Sequence, residues 1–264
     1  HYFPCTFISN ETDVYYGASV RKTGSPFTRE NDNLLTRGKV SVPTDNLFRG
    51  QERLYWDNDS SATGRLHHNR MIRYWLYLLG VPGNENEFCY VMRNGDTPAV
   101  RENSEAFTKE MVNRIFERGG DGEWFEMDDT HYIADDGASR LASVDGSWTY
   151  KNSTNPTLYC NSFVPKTREY EFDYASFIEW TRQLTQNGAT LTQPQLEAMA
   201  DTHMMTAYAA VRGYAGDWDN MTIRRGKNGY MYRRPTDGKW MMLQWDSDLA
   251  FQNTAEAVLA SAGG

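Results

Sequence analysis

Residues 216–251 read GDWDNMTIRRGKNGYMYRRPTDGKWMMLQWDSDLAF. Within this stretch, Tyr230 to Arg233 and Lys239 to Trp245 are rich in aromatic and apolar β-formers. They flank Pro235-Thr236-Asp237-Gly238, a turn sequence in which proline presets φ and glycine accepts a positive one, so a β-hairpin is predicted. Upstream, Gln195 to about Arg212 is long and apolar enough for a buried central helix, with Thr192 as cap and Pro194 in its first turn. That helix delivers the chain into the polar segment Gly216-Asp217-Trp218-Asp219-Asn220, and the hairpin exits into Trp245-Asp246-Ser247-Asp248.

Long helix, acidic loop, hairpin, acidic exit is an order with chemical meaning. In kinase-like enzymes a loop carboxylate orients the hydroxyl that attacks the γ-phosphate and an amide shortly after it binds a metal. A hairpin then returns the chain to a second carboxylate, which holds metal on the phosphates. Asp219 or Asp217 suits the first carboxylate, Asn220 or Asn228 the amide, and Asp246 the second carboxylate, with Asp248 as a further hard oxygen ligand. Magnesium takes one or two carboxylates plus phosphate oxygens, which this set can supply. Taken alone, Asp217 to Asn220 is an ordinary turn composition. Asp246 and Asp248 are harder to dismiss, because two carboxylates one residue apart at the end of an apolar strand repel each other unless a cation is bound.

Working outward, the first 57 residues read as strands and turns: Asp13 to Arg21 alternates β-formers, and Lys39 to Val42 is a short strand stopped by Pro43. Asp59-Ser60-Ser61 offers caps for a helix in which Leu66, Ile72, Trp75, Leu76 and Leu79 recur at helical spacing until Gly80 and Pro82. Phe88 to Met92 is a strand ending at Asn94-Gly95, and Ser104, Phe107, Met111, Ile115 and Phe116 predict a second helix that stops at Gly119-Gly120. From 121 to 168 short strands such as Thr157 to Cys160 mix with turns, and a further helix spans Tyr174 to Gln186.

The chain has 264 residues, one large domain or two lobes. Hydrophobic residues at 39% and aromatic residues at 14% exclude disorder, collagen and coiled coil. The net charge of −8 argues against a nucleic-acid binder relying on a basic face, so a bound phosphate needs local groups or a metal. No run approaches the roughly 18 apolar residues of a membrane helix. His1 is not a natural start, and a leader or preceding domain is expected to have been removed. Cys5, Cys89 and Cys160 lack metal-ligand spacing and read as small buried hydrophobes, with one disulfide left open. His67 and His68 read as surface residues rather than metal ligands, and Asn10, Asn58, Asn152 and Asn220 begin glycosylation tripeptides without settling the compartment.

These residues together resemble the CotH kinase family, named for a spore coat protein. Arg21-Lys22-Thr23-Gly24-Ser25-Pro26-Phe27 is similar to its early Arg-x-x-Gly-Ser-Pro segment, and Lys39 to Leu54 to the strand and turn that follow. Arg65 to Gly80 and Tyr90 to Glu102 resemble its next two blocks, with Thr97-Pro98-Ala99-Val100 standing where the family has Gly-x-Tyr. Asp217-Trp218-Asp219, Asn228 to Tyr232 and Gly238 to Phe251 resemble its most specific signature, which ends Trp-Asp-x-Asp-Leu-x-Phe.

The resemblance implies an α+β, atypical protein-kinase-like fold of two lobes, a β-rich N-lobe over about 1–102 and a helical C-lobe over about 103–264 that stops short of the family's final helices. It implies ATP and Mg2+ between the lobes and phosphate transfer to protein Ser or Thr. Asp219, with Asp217 beside it, takes the catalytic-loop role; Asn228, Asp246 and Asp248 take the metal roles. Lys39 or Arg37 pairs the phosphates, and Glu102 either borders the nucleotide or anchors the lobe junction. Two alternatives stay open: glutamylation on the same fold, and a catalytically idle surface or coat module. A protein substrate or coat partner and a secreted or cell-surface location follow from the family's habits.

Overall fold

The computed structural model describes residues 2–23, 37–57, 67–96, 98–127, 130–132, 142–144, 148–167, 169–223 and 226–251. The caps expected at 59–61, Gly24 to Phe27 of the first block, Leu66, Thr97 and the tail from Asn253 lie outside them. The chain divides into two compact units, one of residues 1–70 and 84–115 and one of residues 71–83 and 116–264.

The first unit is built on one antiparallel sheet. Its strands are β1 (Phe3–Ser9), β2 (Asp13–Lys22), β3 (Gly38–Ser41), β4 (Arg53–Asp57), β5 (Asn86–Val91) and β6 (Ala99–Glu105), in the order β1-β2-β3-β4-β6-β5. Side chains alternate between faces. Val40, Val42 and Leu54 join Ala18 and Phe48 in a core that Phe7, Tyr15, Val20 and Trp56 flank. Lys39 points the other way from Val40, and β3 pairs it with Arg21 on one side and Tyr55 on the other. Helix α1 (His68–Leu78) starts beside the first division point, so its residues from Met71 on count with the second unit.

The helix expected from Ser104 begins later, as α2 (Lys109–Ile115). Ser104 instead pairs with both Tyr55 and Asn86 in the sheet, and the two ladders hold the backbone extended to Glu105, so the helix waits for Thr108, whose hydroxyl accepts from the Met111 N–H at 3.4 Å. A central strand satisfies its backbone on both sides, which outweighs the helical spacing of Phe107 and Met111.

The second unit combines helices with a four-stranded antiparallel sheet, β10-β7-β11-β12. It comprises β7 (Glu123–Met127), β10 (Phe163–Pro165), β11 (Gly229–Arg233) and β12 (Trp240–Gln244), with a small separate pair of β8 (Thr130–Tyr132) and β9 (Ala142–Val144). The hairpin about Pro235 to Gly238 is present, Met231 facing Met242 across it. Tyr230, Met231, Tyr232, Trp240, Met241 and Leu243 are all buried, so both faces of the hairpin are covered. Against it packs α3 (Ala175–Asn187), whose Phe177 meets Phe163 at 4.5 Å and Phe125 at 4.9 Å between ring centres. Much of the aromatic content is spent on this core. The fold is thus mixed α+β with two main antiparallel sheets and, among the described residues, five α-helices.

The single helix expected from Gln195 to Arg212 is two: α4 (Gln193–Met199) and α5 (Thr202–Tyr214). Ala200 is extended, at φ −138 and ψ 151, and bridges Trp240, while the Asp201 N–H donates to the Trp240 carbonyl at 2.8 Å. The Asp201 carboxylate then caps α5 by accepting from the Met204 N–H at 3.2 Å. Aspartate competes for its neighbours' backbone and favours caps over helix interiors. Asp201→Ala is expected to cost about 1 kcal/mol, the usual worth of such a cap, read as a lower midpoint in urea denaturation.

Smaller readings also change. Thr157 to Cys160 is not a strand, because Pro156 cannot donate to a ladder and starts a 3-10 turn over Pro156–Leu158 whose Thr157 N–H is capped by Asn155. The three cysteines are free and half-buried rather than fully buried. His67 is exposed, but His68 is buried at 8% exposure, edge-on to His67 at 5.1 Å between ring centres. Asn220 is fully buried, which removes that tripeptide from the accessible glycosylation sites. Among the described residues no helix is long and apolar enough to cross a membrane.

Candidate functional site

Helix α5 ends in a way that sets up the site. Gly216 takes a positive φ of 66, and the Asp217 N–H donates back to the Arg212 carbonyl at 3.0 Å, the six-to-one bond of a Schellman motif. The reversal puts Asp217 beside Arg212. Nε and Nη2 of Arg212 both reach Asp217 Oδ2, at 2.6 and 2.5 Å, and neither side chain has any exposure.

Arg212 does more than pair. Its Nη1 donates to the Tyr208 hydroxyl (2.9 Å) and to the carbonyls of Asn228 (2.8 Å) and Trp245 (2.9 Å), and its Nη2 to the carbonyl of Asp246 (2.8 Å). One buried guanidinium therefore ties the acidic loop, the entry to β11 and the exit from β12 together. The sequence reading missed it. The available signal was a lone arginine among Met204, Ala207, Tyr208, Val211 and Ala215 on the buried face of a helix, five residues before an aspartate.

Burial pushes the Asp217 carboxyl up, the Arg212 guanidinium opposes that push, and Asp246 and Asp219 add to it. Three of the predicted carboxylates thus act on one another, with Asp217 turned inward as the counter-ion of Arg212. Asp219 is buried too, at 7% exposure, but its partners differ. The Asn228 amide donates to the Asp219 carbonyl at 2.8 Å and to Oδ2 at 3.1 Å, and Lys227 Nζ lies 3.4 Å from the same oxygen. Because both neighbours of Nδ2 are acceptors, the amide's orientation is fixed and Asn228 Oδ1 faces away from Asp219.

The two candidate amides are bonded differently. Asn220 donates to the Asp217 carbonyl and accepts from the Thr222 N–H (2.8 Å) and hydroxyl (2.7 Å), so both ends of its side chain are consumed within the loop. Asn228 keeps an oxygen available. It also adopts a positive φ of 57, as Asp246 does at 47. Asn and Asp enter this region more readily than other residues, yet positive φ at two non-glycine positions whose carbonyls bond one guanidinium marks a tightly specified local geometry.

Asp246 and Asp248 leave β12 half-buried. The turn is pinned by Gln244, which donates to the Ser247 hydroxyl at 2.8 Å and accepts from Arg73. Phe251 closes it, its N–H on the Ala215 carbonyl and its ring 5.4 Å from that of Trp75. Among the described residues no protein donor hydrogen-bonds the Asp246 carboxylate, so its oxygens and Asn228 Oδ1 remain as hard ligands. No three His, Cys, Asp or Glu side chains among the described residues form a ready-made metal cage. Magnesium does not require one, since it keeps waters and takes phosphate oxygens beside one or two carboxylates. The donor set fits magnesium delivered with a nucleotide.

The remaining predicted residues belong to the first unit. Lys39 is buried on β3, with Nζ 5.0 Å from the centre of the Tyr55 ring. Arg37 precedes the strand and is half-buried. Glu102, on β6, is buried and accepts from the Asn86 amide at 2.8 Å and the Ser104 hydroxyl at 3.4 Å. No ion pair joins it to Lys39 among the described residues.

A family model described as CotH kinase protein matches residues 79–263. A comparison with curated proteins finds no match.

Proposed function

The chain belongs to the CotH kinase family, and from that membership we propose that it is an ATP- and Mg2+-dependent phosphotransferase, with a kinase-like two-lobed fold, acting on protein Ser or Thr hydroxyls. The observation that carries this reading is the use made of each polar group around Arg212. Asp217 is consumed as its counter-ion, while Asp246 and Asn228 Oδ1 are held by their backbones and keep ligand capacity. Asp219 sits against the same Asn228.

In this reading Asp246 and Asn228 hold the metal, and Asp248 assists through water or directly. Bound magnesium supplies neutralisation of the phosphate charge. Lys39 or Arg37 pairs with the phosphates, and Glu102 supports the nucleotide region of its sheet. Asp219 accepts the hydrogen bond of the acceptor hydroxyl and orients its oxygen for in-line attack. The new bond joins that oxygen to the γ-phosphorus, the bond to the β-bridging oxygen breaks, and the hydroxyl proton passes to Asp219. Lys227 Nζ, 3.4 Å from Asp219 Oδ2, helps to hold that carboxylate in place. Catalysis is mostly positioning and electrostatics, which suits a loop whose backbone is clamped rather than mobile.

The test is transfer of label from γ-phosphate-labelled ATP to dephosphorylated casein. Asp219→Asn is expected to lower the rate by roughly 10²- to 10⁴-fold, the range for removing a general base, without losing magnesium–ATP binding. Equal labelling by Asp219→Asn would overturn the assignment. Incorporation of labelled glutamate in place of phosphate would move the same residues to amide-bond formation.

A further inference from the structure

Arg21, which opens the Arg-x-x-Gly-Ser-Pro segment, has an unusual setting in the first unit. Register places Arg21 directly opposite Lys39, and Lys39 directly opposite Tyr55, in one row across β2, β3 and β4. Lys39 is only 6% exposed and Arg21 is half-buried. Among the described residues neither cation pairs with a carboxylate, although the chain carries 35 acidic side chains against 27 basic ones. Arg21 Nε is buried without a hydrogen-bond partner.

Both cations rest on aromatic faces instead. The Arg21 guanidinium lies 5.3 Å from the Tyr2 ring centre and Lys39 Nζ 5.0 Å from that of Tyr55. Like charges directly opposite in a sheet destabilise it, and a buried ammonium without a counter-ion costs more than an exposed one. Cation–π contacts offset only part of this. The nearest thing to an anion is the Tyr2 phenol: burial pushes it up, but the charges of Lys39 and Arg21 and bonding to Ser41 and Lys39 prevail and hold it below its ordinary range. The row attracts negative charge, and among the described residues no carboxylate meets it.

We propose that Arg21 and Lys39 form a two-cation subsite for the polyphosphate of a nucleotide, with Arg21 as a phosphate-binding residue in its own right and Tyr2 as a phenol the phosphate displaces. The identity of the ligand rests on the phosphotransferase reading; the anion subsite itself does not. Arginine suits the role because its planar fork meets phosphate oxygens in pairs, whereas lysine contributes a point charge.

The sign of the stability effect separates binding from architecture. Removing one of two opposed cations relieves repulsion, so ligand-free Arg21→Gln is expected to melt no lower than the parent, whereas a structural arginine would lower the midpoint when replaced. Titrations by thermal shift use magnesium–ATP, adenosine and inorganic tripolyphosphate. Arg21→Gln is expected to weaken ATP and tripolyphosphate about tenfold, the scale of one charge-assisted contact, and to leave adenosine unchanged; Lys39→Met should do the same. Unchanged tripolyphosphate and ATP affinity in Arg21→Gln, with the parent binding both, overturns the subsite and leaves the enzyme reading intact. Arg21-dependent tripolyphosphate binding without ATP binding overturns the enzyme reading and leaves the subsite. A parent that binds neither overturns the subsite directly.

Discussion

Asp246→Asn is expected to lower the proposed phosphate transfer by about 10²- to 10³-fold, the scale set by removing a group that stabilises charge developing in the transition state. Asparagine tolerates the positive φ of this position and nearly matches the volume, so the change removes charge and little else. Ligand-free stability should hold or rise slightly, because Asp246 is one of the two carboxylates that push Asp217 up. The clearest readout is binding. Magnesium–ATP at a hundred times its dissociation constant should stabilise the parent by about 2.7 kcal/mol through mass action. The variant should keep a smaller shift that no longer depends on magnesium. A full magnesium-dependent shift in Asp246→Asn would remove this residue from the metal site.

Arg212→Met is expected to be the most destabilising single change in the second unit. It leaves the Asp217 carboxylate buried without its cation and takes a donor from the carbonyls of Asn228, Trp245 and Asp246. Breaking a buried pair from one side costs about 3 to 5 kcal/mol, a large part of the 5 to 15 kcal/mol that holds a typical domain together. Urea denaturation reads it directly. The loss should depend on pH with a definite sign. Burial already raises the Asp217 carboxyl, and removing the guanidinium takes away the influence that opposes the rise. A carboxyl whose folded pKa lies above its unfolded value binds its proton more tightly in the folded state. The deficit is therefore largest at neutral pH and shrinks as pH falls through the raised pKa. Arg212→Met with Asp217→Leu should recover much of the stability while leaving the three carbonyls unserved. A deficit below about 1 kcal/mol in the single variant, the size of an exposed pair, would show that the clamp does not hold the site.

Elements carried by strong local signals were legible. The hairpin of β11 and β12 follows from apolar β-formers around a Pro and Gly turn, and β2, β3, β5, α1 and α3 fall near their expected positions. Two of the misses share one cause. Ser104 and Ala200 sit where helical spacing is good, but each pairs with a strand remote in sequence, and local spacing carries no record of that partner. Thr157 to Cys160 failed for a more local reason, because the capacity of Asn155 and Pro156 to start a turn outranked the β-propensity of the residues after them.

By itself the sequence determined the order of chemistry along this chain: helix, acidic loop, hairpin and acidic exit, with the family these residues resemble. Order survives reading because each piece is written in neighbouring residues, as caps, turns and alternating apolar positions. Only the tertiary structure decided how the polar groups divide their work. Asp217 and Asp219 are two residues apart and equally plausible as text, as are Asn220 and Asn228. Arg212, which takes Asp217 as its counter-ion and reaches carbonyls 16, 33 and 34 residues away, separates the carboxylates, and the bonds Asn220 makes to Asp217 and Thr222 separate the amides. A guanidinium has five donors and a fixed fork, so the groups it takes and the groups it leaves free are settled only when the hairpin register brings those carbonyls to it.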